Sequence, residues 1–118
     1  MADFQLEAMK TILWASDMPR AVRFYREVFG FTVGFESVHW SELKHGDAIL
    51  ALHGGGNGER QPSSLSLQVS DLDRAVAVCA EFGATVLKQP ESREGEPIRL
   101  AEMRDPEGNE FSLTQFVG

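Results

Sequence analysis

The sequence predicts an α+β fold made of two tandem βαβββ modules, and three observations carry that expectation. The first is an internal repeat. Ser16-Asp17-Met18-Pro19-Arg20-Ala21-Val22-Arg23-Phe24-Tyr25-Arg26-Glu27 lies over Ser70-Asp71-Leu72-Asp73-Arg74-Ala75-Val76-Ala77-Val78-Cys79-Ala80-Glu81 with six identical positions. The second is that each copy follows a short apolar run and ends at a glycine, Gly30 or Gly83. The third is a turn signal at the same place in each copy: His45-Gly46-Asp47 in one, Asp105-Pro106-Glu107-Gly108-Asn109 in the other.

The elements follow in order. A strand over about 10–15 runs into Ser16-Asp17, whose side chains can accept backbone N–H bonds at a helix start. Pro19 suits the first helical turn because it has no N–H to leave unpaired. Ala21, Val22, Phe24, Tyr25, Val28 and Phe29 keep the helical period, and Gly30 stops the helix in the left-handed conformation. Strands are expected at 31–36, 38–43 and 48–53. The second unit repeats this plan: a strand at 64–69, a helix with Leu72, Ala75, Val76, Cys79 and Phe82 on one face, a stop at Gly83, then strands at 84–88, 98–104 and 110–116. Module one spans about 8–54 and module two about 64–118. The linker, about 54–63, contains Gly54-Gly55-Gly56-Asn57-Gly58.

Composition narrows the function. The chain has 118 residues and a net charge of −7, with 11 Lys plus Arg against 18 Asp plus Glu. That excess, with basic residues scattered, argues against nucleic acid and anionic lipid. The apolar run Ala48–Leu52 is far too short to cross a bilayer, and nothing near Met1-Ala2-Asp3-Phe4 resembles an export signal, so a cytoplasmic location is expected. One cysteine, Cys79, allows neither an intrachain disulfide nor a Cys-rich zinc cluster. A small molecule or a protein partner remains.

Arg20-Ala21-Val22-Arg23-Phe24-Tyr25 followed by Val28-Phe29-Gly30-Phe31, with Asp105-Pro106-Glu107-Gly108-Asn109 leading the final strand, resembles the vicinal oxygen chelate superfamily. That superfamily includes glyoxalase I, extradiol dioxygenases, fosfomycin-resistance enzymes and bleomycin-binding proteins. The resemblance covers essentially the whole chain. It implies a cup-shaped mixed sheet around a ligand cavity, usually completed or stabilised in a homodimer. In the superfamily's metalloenzymes the cup holds one divalent ion; the resemblance puts its ligand positions on Lys10, Ala51, Ser64 and Ser112. An ammonium repels a cation, alanine offers nothing, and two neutral hydroxyls do not replace imidazole or carboxylate. No metal and no cofactor are therefore expected.

Strand alternation from those positions lines the cup with Lys10, Ile12 and Trp14, with Ser64, Ser66 and Gln68, with Ile49, Ala51 and His53, and with Ser112, Thr114 and Phe116. Trp40 joins them. Aromatic area beside a few polar groups is the composition of a small-molecule pocket. The expected ligand-binding set is Lys10, Trp14, Trp40, His53, Ser64, Ser66, Gln68, Ser112 and Thr114; no catalytic residue is assigned. Three functions stay open. One is a metal-free binder of an aromatic or cationic compound. Another is a metal-dependent lyase, isomerase or dioxygenase with a displaced site of His53, Glu42 and Glu102. The third is a metal-independent enzyme, with Lys10 and Ser64 as a dyad across paired strands, or an interaction module with a filled core. Cys79 is expected to be a buried packing residue without thiol reactivity.

Overall fold

The computed structural model describes residues 3–118. The order is β1 (Lys10–Ala15), α1 (Met18–Phe29), β2 (Thr32–Phe35), β3 (Trp40–His45), β4 (Ala48–Gly54), β5 (Gln61–Gln68), α2 (Leu72–Glu81), β6 (Thr85–Ser92), β7 (Ile98–Arg104) and β8 (Asn109–Phe116). This is the α+β, twice βαβββ plan. It is realised as two four-stranded mixed sheets, β1-β4-β3-β2 and β5-β8-β7-β6. In each, the first strand runs parallel to the fourth and the rest are antiparallel.

Both helices begin alike because the repeat places an aspartate at the same point. Asp17 accepts from the Arg20 N–H at 3.2 Å and Asp71 from the Arg74 N–H at 3.1 Å. They end differently. Gly30, at φ +77°, closes α1 directly, whereas α2 is capped by Phe82 and reaches the left-handed Gly83 one residue later.

Three strands depart from the expected bounds by more than one residue at an end. The strand expected at 38–43 starts at Trp40, because the Ser37 hydroxyl gathers the His39 and Trp40 N–H groups and donates to the Trp40 carbonyl, holding 37–39 in a turn. The strand expected from 64 starts at Gln61, whose N–H bonds the Gly108 carbonyl at 2.8 Å. The strand expected at 84–88 continues to Ser92 through Pro90; it forms the outer edge of its sheet, where a missing N–H leaves no ladder partner unpaired.

Alternation then sorts each sheet into two faces. Leu13, Ala15, Leu43, Leu50 and Leu52 of the first sheet, and Ala101, Met103, Phe111 and Leu113 of the second, are buried in one cluster with both helices. Phe24 and Tyr25 of α1 pack on Phe111 of β8, at 6.4 and 6.3 Å between ring centroids. The helix-covered faces of the two modules thus share a core, and the other face of each sheet points away from it. The molecule is a slab of 43 × 41 × 23 Å.

Candidate functional site

The open face of the first sheet is assembled by register. Lys10, Ile12 and Trp14 of β1 lie beside Ile49, Ala51 and His53 of β4, which lie beside Lys44, Glu42 and Trp40 of β3. Ala51 sits in the middle, fully buried between longer neighbours. Across it, the Lys10 ammonium donates to Glu42 Oε2 at 2.8 Å, and the Trp40 indole N–H donates to the same oxygen at 2.9 Å. Oε1 accepts no hydrogen bond among the described residues. The Lys10 bond, then the Trp40 bond, holds the Glu42 carboxyl below the usual range.

Aromatic rings complete this face. His53 lies 4.6 Å from Trp14 and 5.8 Å from Trp40 between centroids, and the Lys10 ammonium stands 6.0 Å over the Trp40 ring. His53 Nδ1 is 2.6 Å from the Gly54 carbonyl oxygen, which can only accept, so that nitrogen carries the proton. When the ring carries no second proton, Nε2 is an acceptor. Trp14 stays 40% exposed and Ile12 55% exposed, so the described residues leave both partly open.

The second sheet presents a different surface. Ser66 lies beside Ser112 and Gln68 beside Thr114; across β8, Glu102 and Leu100 take the same side. An open pocket of about 420 Å³ runs over Ser64, Leu87, Leu100, Glu102 and Ser112. At its rim Glu110 is held by Arg104 and Arg60, both at 3.0 Å, and these bonds lower its carboxyl. Ser64 lies in an irregular stretch of β5, where the register shifts between Pro62 and Ser66, and also lines a crevice of about 460 Å³ shared with Lys10, Ile12 and Trp14.

The expected residues therefore form two groups. Lys10, Trp14, Trp40 and His53 meet on the first sheet; Ser66, Gln68, Ser112 and Thr114 meet on the second; Ser64 stands at the seam. Two expected constellations do not form. The displaced metal set is split, because Glu42 belongs to β3 of one sheet and Glu102 to β7 of the other. The Lys10–Ser64 dyad presumed paired strands, but β1 pairs with β4 and β5 with β8, and Lys10 is engaged by Glu42. The donor set does not suit a divalent ion. Lysine and alanine stand at two of the four family positions, and no three His, Cys, Asp or Glu among the described residues group together. Cys79 packs in the core, its thiol pushed up to about 12 by burial.

A second polar cluster was absent from the sequence expectations, which read Asp105–Asn109 only as a turn. Asp105, Glu107 and Asn109 are buried. Glu107 Oε1 accepts from the Ser16 N–H, the Ser16 hydroxyl and the Asp17 N–H at 2.8–2.9 Å, while Oε2 accepts from the Arg20 guanidinium at 2.7 Å. Asn109 pairs both ways with the Trp14 backbone, and Asp105 accepts from the Tyr25 hydroxyl at 2.6 Å. Burial raises the Asp105 carboxyl, and burial together with the neighbouring Asp105 raises the Tyr25 phenol well above its ordinary value. This cluster clamps the turn of module two onto the start of α1 and fixes the end of β1 that carries Trp14. Gly108 makes the clamp possible: it sits at φ +99°, and a Cβ added there would clash with the Glu59 carbonyl oxygen.

Known proteins resemble this arrangement. A family profile described as a glyoxalase-like domain matches residues 10–114. A glyoxalase/bleomycin resistance protein/dioxygenase family enzyme from Burkholderia phytofirmans superposes with a TM-score of 0.76 at 22% identity, covering 91% of this chain and 96% of that one. The fosfomycin resistance protein of Listeria monocytogenes gives 0.76 at 14% identity, covering 95% and 94%. A lactoylglutathione lyase from Agrobacterium tumefaciens gives 0.72 at 20% identity, covering 92% of each. At these identities the likeness to solved structures is one of fold. No curated protein matches the chain in sequence. No helix among the described residues is long and apolar enough to cross a membrane. With the profile spanning nearly all of its length and both modules in place, the chain belongs to the glyoxalase-like domain family of the vicinal oxygen chelate superfamily.

Proposed function

We propose that this chain is a metal-free small-molecule-binding protein whose ligand lies against the open face of the first sheet, in a cup completed by a second copy. The observation that carries this reading is the cluster of Trp14, Trp40 and His53 around the Lys10–Glu42 pair, beside Lys10 and Ala51, the two positions of this sheet to which the resemblance assigns metal ligands. Two indole faces attract a flat or cationic group, Glu42 Oε1 and His53 Nε2 accept from its N–H groups, and a chain charge of −7 draws cations in. The Lys10 ammonium and the Ala51 methyl at the floor oppose a metal ion there.

The homodimer is supported by the shared core. The two open faces of one chain point away from each other's helices, so neither can roof the other. A partner that sets its second sheet over this first sheet encloses the site and adds the Ser66, Gln68, Ser112 and Thr114 side. The chain's two tryptophans, Trp14 and Trp40, both lie on the proposed site, so selectively excited tryptophan fluorescence reports it. Titration with N-methylpyridinium is expected to quench this fluorescence saturably and to raise the melting temperature with ligand concentration, while benzoate does neither. Plasma emission on protein purified without chelator is expected to find no stoichiometric zinc, iron or manganese. Stoichiometric metal, or turnover of a methylglyoxal–thiol adduct or a catechol, would overturn the reading.

A further inference from the structure

We infer that the open pocket on the second sheet takes a free α-amino acid with an aliphatic side chain, its ammonium at Glu102 and its carboxylate at Arg60. The pocket is built by residues of one chain, so this second site goes beyond the first-sheet reading and needs neither that reading nor the homodimer.

One end of the pocket is acidic. Glu102 stands on the open row of β7 opposite Ser112, and it takes part in no hydrogen bond or ion pair among the described residues. Lys88, opposite it on β6, is engaged by Glu91 at 2.8 Å. The Ser64 and Ser112 hydroxyls, on the same lining, are likewise without partners among the described residues. The other end is basic. Arg60 Nε donates to both oxygens of Glu110 at 3.0 Å, and Arg104 Nη2 donates to one of them at 3.0 Å. Two guanidiniums against one carboxylate leave one positive charge in excess. The terminal N–H groups of Arg60 donate to nothing among the described residues, and Arg104 Nε is buried without an acceptor, so donors outnumber acceptors at this end.

The spacing selects the ligand. Glu102 follows Arg104, and Ser112 follows Glu110, by one same-face step along their strands, about 7 Å. An α-amino acid sets its nitrogen and carboxylate oxygen about 3 Å apart, and a charge-assisted hydrogen bond of about 2.8 Å at each end lets it bridge such a step. A lone amine or a lone acid satisfies one end and leaves the other unpaired. Leu87 and Leu100 flank Glu102 and give an aliphatic side chain apolar surface to cover.

Calorimetric titration of the full chain at pH 7 with L-leucine, isoamylamine and isocaproate tests the inference; the last two each keep one charged end of leucine on its carbon skeleton. Leucine is expected to bind one per chain with a dissociation constant of about 1 mM or tighter, and each single-charge analogue at least about tenfold more weakly. Glu102→Gln and Arg60→Gln alter exposed side chains and are expected to leave circular dichroism unchanged. Each should weaken leucine about tenfold, and Arg60→Lys, which keeps the charge, should weaken it less. No leucine binding at about 10 mM, or undiminished binding in Glu102→Gln, would overturn the site. An analogue that binds as tightly as leucine would overturn the assignment of a ligand with both charges. The N-methylpyridinium titration reads the first sheet, so either site can fail while the other stands.

Discussion

His45-Gly46-Asp47 and Asp105-Pro106-Glu107-Gly108-Asn109 occupy the same place in the repeat, between the last two strands of their modules. The first is exposed at every residue and, beyond reversing the chain, only sets the His45 ring edge-on to Phe31 at 6.0 Å. The second sends Asp105, Glu107 and Asn109 inward, where they take backbone donors from β1 and from the lead into α1, and the phenolic O–H of Tyr25. The open faces diverge in the same way: module one carries indoles, an imidazole and the Lys10–Glu42 pair at its centre, module two hydroxyls and an amide, with the Glu110 ion pairs only at its rim. A repeated scaffold has kept its path while its halves took separate work. Module one presents the candidate site, and module two holds it in shape.

The largest effect should come from the turn. Glu107→Ala leaves the Ser16 and Asp17 N–H groups and the Arg20 guanidinium without their shared acceptor. It is expected to cost about 3 kcal/mol in urea unfolding, whereas Asp47→Ala, in the exposed turn, stays within about 0.5 kcal/mol. Equal costs would mean that the two turns do not differ in duty.

Next comes Tyr25, which the repeat places over Cys79. It is the chain's one tyrosine, so phenolate absorbance reads it directly. Its folded value is raised above 10.0, so the stability it contributes is complete below pH 10.0 and is lost as pH climbs through the higher folded value. Phenolate is expected to appear only well above pH 10.0, together with unfolding; titration near 10.0 in the folded chain would contradict the buried bond. Tyr25→Phe should cost about 1–2 kcal/mol at pH 7, because it leaves Asp105 a donor short. Cys79, with no such partner, is expected to resist thiol reagents until the protein unfolds.

Smaller still are the effects on binding. Trp14→Ala should weaken N-methylpyridinium about tenfold, and Ser112→Ala about threefold or less, with little change in unfolding for either. A stronger effect from Ser112 than from Trp14 would move the site to the second sheet.

The element order was legible in the sequence because the repeat supplied it twice: one aspartate cap, one apolar stripe and one glycine stop appear in each half. The open-face set was legible because alternation is local, so Lys10, Trp14 and His53 could be assigned to one side without a structure. The meeting of Lys10 with Glu42 was not legible. It depends on the register of two strands flanking β4 and on a small residue, Ala51, between them. Nor was the clamp. Asp, Glu and Asn are ordinary residues in a solvated turn, and only the approach of Ser16, Tyr25 and Trp14 from 80 to 95 residues away gives them buried partners. The start of β3 moved for a similar reason: the Ser37 hydroxyl turned a β-like stretch into a loop.

Glu107 also decides what a break in the backbone would do. The donors leading into α1 are satisfied from the far half of the chain, so a peptide ending in the Gly55–Gly58 stretch has an unfinished helix start, and one beginning there has a carboxylate with nothing to hold. Severed at that point, the two pieces are expected to behave not as domains but as complementary fragments, each gaining its full circular dichroism only when mixed with the other.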